Sequence, residues 1–270
     1  MTPFSKAVLF ATLTTIIGSA AFMQVTYAEE AVAIAPAPLT ANVTVASEYR
    51  YRGLSQSNFQ PAIQVGIDYA HESGFYLGNW NSNISWISDE NKGTSAPIEI
   101  DIYGGYKHDW SEGFIADIGV LQYYYPTSGY PSSSVNPNTT EIYVAQNFTF
   151  GPVTGFAKVS YAVTPLFGTS NSTGSTYSDL TINYDTGVWG LALNGHVGYQ
   201  YLAGSNAAGG SNNSLYSYTD WKLGVTKDFG DGFSAHVSYI GTNASITAYA
   251  SPSGTNLGRG AALFEFTKTF

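Results

Sequence analysis

Leu39-Thr40-Ala41-Asn42-Val43-Thr44-Val45-Ala46-Ser47-Glu48-Tyr49-Arg50-Tyr51-Arg52 alternates in character along its whole length. Leu39, Ala41, Val43, Val45, Tyr49 and Tyr51 fall on one side, and Thr40, Asn42, Thr44, Glu48, Arg50 and Arg52 on the other. Side chains of an extended chain point alternately to opposite faces, so the stretch predicts a strand with every charge on one face. It is about twice as long as the ~5–6 residues of an ordinary globular strand. A long strand lying between lipid and water accounts for both properties.

The same period recurs downstream. Ile63, Val65, Ile67 and Tyr69 alternate with Gln64, Gly66 and Asp68. Tyr76, Gly78, Trp80, Ile84 and Trp86 alternate with Asn79, Asn81 and Asn83, and Ile98, Ile100, Ile102 and Tyr106 with Glu99, Asp101, Tyr103 and Lys107. Further strands are expected over 114–125, 141–150, 153–162, 177–184, 189–201, 218–229, 233–242 and 259–270, about twelve in all. The last of these carries Phe264, Phe266 and Phe270, an aromatic face of the kind on which chains inserted into bacterial outer membranes usually finish. These three residues are the expected signal for the barrel-assembly machinery.

The connections sort by length. Residues 71–74, 110–113, 151–152, 185–187 and 230–232 are short Gly/Asp/Pro turns. Between them run longer Ser/Asn/Gly-rich stretches at 54–60, 87–96, 126–139, 164–176, 202–217 and 243–258. Short periplasmic turns and long external loops are the habit of transmembrane antiparallel up-and-down β-barrels, which close because hydrocarbon offers no partner to an open sheet edge. Tyr69, Tyr76, Tyr106, Phe114, Phe148, Tyr184, Trp189, Phe229, Phe233 and Phe270 are placed for an inner interfacial girdle. Tyr51, Trp86, Tyr161, Tyr201 and Tyr239 are placed for an outer one. Glycines inside the strands ease curvature or close packing.

Composition agrees. Only 11% of residues are charged, aromatics reach 15%, and mean hydropathy is −0.05 with no long apolar block after the N-terminus. Alternating lipid-facing and lumen-facing residues cancel in any window. The N-terminus reads as a secretory signal: Lys6, then apolar 7–22, then Thr26-Tyr27-Ala28 before Glu29. Its apolar run is too short for a membrane-spanning helix, which needs ~20 residues. Residues 1–28 are the expected signal peptide, 29–38 a short disordered lead, and 39–270 one outer-membrane barrel. Losing Lys6 changes the balance from 10 basic against 19 acidic residues to 9 against 19, a net charge of −10. That balance argues against nucleic acid as a partner. The chain has no cysteine, which excludes a disulfide scaffold and thiolate metal sites.

Ala46-Ser47-Glu48-Tyr49-Arg50-Tyr51-Arg52-Gly53-Leu54-Ser55-Gln56-Ser57, followed by Pro61-Ala62-Ile63-Gln64, resembles the start of the TorF family of proteobacterial porins. Tyr69-Ala70-His71-Glu72-Ser73-Gly74-Phe75-Tyr76, Glu99-Ile100-Asp101-Ile102-Tyr103-Gly104-Gly105-Tyr106 and Tyr218-Thr219-Asp220-Trp221-Lys222-Leu223-Gly224 are similar to its later motifs. The likeness spans nearly the whole mature chain and weakens in the middle loops. Lys268 departs from the apolar residue usual two before a terminal Phe. The resemblance implies a pore and brings no catalytic set.

Charge distribution nominates a constriction. Glu99, Asp101 and Glu141 fall near the external ends of strands four to six, and Arg50, Arg52, Lys222 and Arg259 near those of strands one, ten and twelve. Facing one another across the bore, they would impose a transverse field on permeating solutes. The simpler reading is local pairing, Glu48 with Arg50 and Asp220 with Lys222. None of the four histidines makes a metal-ligand spacing with another. His196 and His236 face inward, away from the lipid substrate of an outer-membrane hydrolase, so no enzyme and no cofactor is expected. The leading expectation is a channel for passive diffusion of small hydrophilic solutes in the outer membrane, in contact with its lipids. A closed structural or adhesive barrel is the alternative, and association between barrels is left open.

Overall fold

A computed structural model describes residues 38–270; the expected signal peptide and most of the lead lie outside the described residues. The strands are β1 (Leu39–Ala46), β2 (Arg50–Tyr51), β3 (Leu54–Ser55), β4 (Ala62–Ala70), β5 (Phe75–Asn83), β6 (Ile98–Ser111) and β7 (Phe114–Tyr124). They continue with β8 (Thr139–Phe150), β9 (Val153–Ala162), β10 (Thr176–Asp185), β11 (Leu191–Tyr201), β12 (Tyr218–Gly230), β13 (Phe233–Thr242) and β14 (Ala261–Thr269). Two single-turn helices, α1 (Trp86–Glu90) and α2 (Asn212–Tyr216), lie in long connections.

Twelve of these strands form one closed antiparallel barrel, each paired to its neighbour in the chain, with β14 returning to β1. The closing seam pairs Asn42 with Thr269 through Ala46 with Glu265, and the Phe270 amide donates to the Ala41 carbonyl at 2.8 Å. Closure pairs the strand backbones all round the sheet, so none presents an open edge. No described helix is long and apolar enough to cross a membrane.

The two faces of the wall differ in kind. Val43, Val45, Ile63, Ile102, Ile118, Val144, Leu193, Leu223 and Phe264 point outward and are exposed, while Asn42, Thr44, Gln64, Glu99, Asp101, Asn147 and Asp220 point inward and are buried. A soluble domain does the reverse. Outward amides fold back onto the wall: Gln122 Nε2 donates to the Tyr123 and Thr139 carbonyls, and Asn79 Nδ2 donates to the Asp101 carbonyl at 2.8 Å.

Inward tyrosines sit over inward glycines of adjacent strands. A Cβ added at Gly78 would come within 2.3 Å of the Tyr103 ring, and one at Gly198 within 2.0 Å of the Tyr177 hydroxyl. Gly119 makes the same room for Tyr143. The missing side chain is a slot into which the neighbouring ring lies flat, so a bulky phenol fits inside a narrow tube.

Four expectations need correction. The first strand stops at Ala46, where Ser47 Oγ accepts from the Phe264 amide, and residues 47–60 turn into the lumen. Tyr51 is therefore absent from the outer girdle. On β5 the faces are exchanged. Tyr76 and Trp80 turn inward and Asn79 and Asn81 outward, because Tyr76 donates to Asp117 at 2.7 Å and Trp80 packs on Tyr49. Phe75 takes the outward place at that rim, its ring tilted against that of Tyr106. Trp86 opens α1 and packs edge-on against Tyr125, and Trp189 sits in the β10–β11 turn with φ 54°, not in the strand. Tyr161, Tyr201 and Tyr239 do point outward near the long-loop end.

Candidate functional site: a hairpin across the lumen

The segment between β1 and β4 closes on itself. Tyr51 pairs with Leu54 and Arg50 with Ser55, around a two-residue turn in which Arg52 and Gly53 have φ 45° and 78°. Positive φ at both central residues is the hairpin geometry that matches strand twist. Glycine takes it freely and arginine does not, so Arg52 occupies a backbone conformation that its side-chain contacts must hold.

Those contacts cross the barrel. Arg52 Nη2 donates to Glu141 Oε2 on β8 at 2.7 Å and Nη1 to Gln200 Oε1 on β11 at 2.6 Å. The guanidinium carbon lies 4.2 Å from the centre of the Tyr177 ring on β10. Tyr51 shares a hydrogen bond with Tyr123 of β7 at 2.5 Å, and Tyr49 donates to Glu99 of β6 at 2.6 Å. One short hairpin thus reaches five consecutive-to-distant staves of the wall. Phe167, from the β9–β10 connection, packs edge-on against Tyr51 and Tyr123 and covers the crossing.

Arg50 anchors the base. Its guanidinium makes a bidentate pair with Glu48, at 2.8 and 3.0 Å, and donates to the carbonyls of Gly53, Leu257 and Arg259. A planar fork with five donors suits this role, and a lysine could not fill it.

The acidic side of the crossing is only partly compensated. Glu99 accepts from Tyr49 and from Tyr125 at 2.7 Å, and Glu141 holds Arg52. Asp101 is fully buried, and neither carboxylate oxygen has a hydrogen-bond partner among the described residues. It pairs in register with Tyr123, whose hydroxyl is 3.3 Å from Glu141. Below the hairpin, His196 bridges two carboxylates, Nδ1 to Asp179 at 3.0 Å and Nε2 to Asp220 at 2.7 Å. The imidazolium, which donates from both nitrogens, satisfies that arrangement in full. Lys158 lies 3.9 Å from Asp179, and Tyr177 donates to Asp220 at 3.0 Å.

The nominated residues distribute as follows. Glu48, Arg50, Arg52, Glu99, Asp101, Glu141 and Asp220 gather at the long-loop end of the lumen, and Lys222 faces inward beside them on β12. The charges are not ranged on opposed walls across an open bore. Arg52 is carried over by the hairpin and touches Glu141, because the polypeptide itself bridges the gap. Local pairing holds for Glu48 with Arg50, whereas Asp220 takes His196. Arg259 is a correction: it is exposed in the β13–β14 connection, over the Phe59 ring at 4.4 Å, and stands outside this buried cluster. Phe264, Phe266 and Phe270 all face outward on or just after β14. Lys268 shares their face, its ammonium 4.4 Å from the Phe233 ring centre. No group of three or more potential metal ligands occurs among the described residues.

Residues that alternation missed complete the site: Tyr49, Tyr51, Tyr123, Tyr177, Gln200 and the Asp179–His196 pair. The available signal was the Arg52-Gly53 dipeptide, a turn former inside what otherwise looked like one long strand.

The fold has solved counterparts. A KdgM porin in complex with disordered oligogalacturonate superposes with a TM-score of 0.51 at 7% identity, covering 86% of this chain and 98% of that one. A NanC porin gives a TM-score of 0.53 at 9% identity, with the same coverage. At such identities the likeness is one of fold. No curated protein sequence matches. A family profile described as "Bacterial protein of unknown function (Gcw_chp)" matches residues 30–270, and the chain belongs to that family.

Proposed function

We propose that this protein is a porin-like channel of the bacterial outer membrane, passing small hydrophilic solutes passively and favouring cations, with a mouth narrowed by the β2–β3 hairpin. The observation that carries the reading is the inversion of the wall, apolar outside and polar inside a closed tube. An apolar exterior suits lipid and a polar interior suits a water column. The signal-like N-terminus, the TorF resemblance and the porin likeness of fold support the same address.

Charge gives the preference. Asp68, Glu99, Asp101, Asp117, Glu141, Asp179, Asp220 and Glu265 stand at inward positions of the wall, against Lys107, Lys158 and Lys222. The hairpin adds Glu48, Arg50 and Arg52. The excess of carboxylates disfavours polyanions such as the oligogalacturonate named with the KdgM porin. A field of this sign concentrates cations in a narrow low-dielectric bore.

The test is a reversal potential in planar bilayers under a KCl gradient. The reading expects cation selectivity, reduced by Glu99→Gln with Asp101→Asn. Conductance that prefers chloride would refute the charge argument, and no conductance would refute the channel.

A further inference from the structure

The surroundings of Arg52 describe a receptor as well as a latch. Its two terminal nitrogens meet different acceptors, a carboxylate on β8 and an amide oxygen on β11, while its face rests on Tyr177. Two acceptors on separate nitrogens and one aromatic face suit a guanidinium group. All three come from the barrel wall and none from the hairpin. The side chains of Arg52 and Glu141 are 6% and 1% exposed, so the pair is cut off from bulk water. Beside them Asp101 holds a buried carboxylate with no hydrogen-bond partner. With Arg52 displaced, Glu141 loses its ion-pair partner beside the unpartnered Asp101 carboxyl group, and a cation of the same shape restores the pairing. Arg52 itself sits at φ 45°, a backbone cost that is relieved when the turn relaxes.

From this geometry we infer that Glu141, Gln200 and Tyr177 form a binding site for guanidinium-bearing solutes, with Arg52 as the resident occupant that such a solute displaces. The site deepens the channel reading and rests on it for its role in permeation. Binding itself does not depend on conduction. An alkylammonium is a poorer fit, because a compact point charge cannot engage two separated acceptors in one plane.

Two measurements decide it. Full-length Arg52→Gly protein in detergent, checked for folding by heat-dependent gel mobility, is titrated calorimetrically with methylguanidinium and with methylammonium. Methylguanidinium should bind about tenfold more tightly or better, and the added substitution Glu141→Gln should abolish the difference. Equal binding of the two ions, or none, overturns the site. With the unaltered protein, backbone hydrogen exchange over residues 49–57 should accelerate in methylguanidinium and not in methylammonium at equal ionic strength; identical exchange overturns it independently of any variant. If Arg52→Gly binds methylguanidinium selectively but conducts no ions, the channel reading fails and the site stands. Conduction without guanidinium preference has the opposite meaning.

Discussion

Arg52 shows what a single side chain does in this molecule. It holds a buried ion pair to Glu141 and ties the hairpin across the mouth, at a backbone position suited to glycine. Removing one partner of a buried pair typically costs ~3–5 kcal/mol, because the remaining charge is left unsolvated. Arg52→Ala and Glu141→Gln should each speed hairpin exchange, and the double variant should resemble the singles more than their sum; additive effects would show that the two residues do not act as a pair. Gly198 makes a second case. Gly198→Val would drive its side chain into the Tyr177 hydroxyl and break the bond to Asp220. Overpacking of this kind costs ~1–3 kcal/mol, read as a lower urea midpoint in detergent, while Gly187→Val in an open turn should act only through its backbone. None of the tyrosine slots was legible in the sequence. A glycine beside a tyrosine on the next strand is visible only once register is known.

Among the elements, the twelve wall strands were legible and the hairpin was not. Alternation with outward aliphatic residues, as in Ile63-Gln64-Val65-Gly66-Ile67, identifies a wall strand because a whole row of valine and isoleucine favours an apolar medium. In Glu48-Tyr49-Arg50-Tyr51-Arg52 the apolar positions are tyrosines, which suit an apolar face and a hydrogen-bonding lumen equally well. The same ambiguity exchanged the faces of β5, where Tyr76 and Trp80 face in and Asn79 and Asn81 face out. The closing strand makes its own prediction. β14 presents Phe264, Phe266 and Phe270 on one outward face, and Lys268 is tucked over Phe233 without interrupting it. If that face is read during assembly, Phe270→Ser should lower the folded fraction in cell envelopes severalfold, and Lys268→Ala should not. Equal yields of folded Phe270→Ser and native protein would remove the signal from this face.

At the scale of the whole molecule, fold and function separate cleanly in how much the chain declares. Twelve strands, loops sorted by length and an outward aromatic finish specify a closed barrel from the sequence alone. Whether the tube is open depends on where residues 47–60 go, and that depends on a few long-range bonds, Tyr49 to Glu99, Tyr51 to Tyr123 and Arg52 to Glu141, that no local pattern encodes. The site residues were nominated by charge, and all but Arg259 gather at the long-loop end of the lumen. Their arrangement as a latched crossing, and the part played by Gln200 and Tyr177, follow from topology.

Single-channel conductance compares the tube with and without its crossing. Full-length protein and a variant in which residues 49–57 are replaced by a short Gly-Ser linker are incorporated into planar bilayers in the same salt. The hairpin crosses the lumen to Glu141 and Gln200, so the shortened protein should conduct severalfold more than the native one while keeping its cation preference. Equal conductance in the two proteins, or none in either, would contradict a channel narrowed by this hairpin.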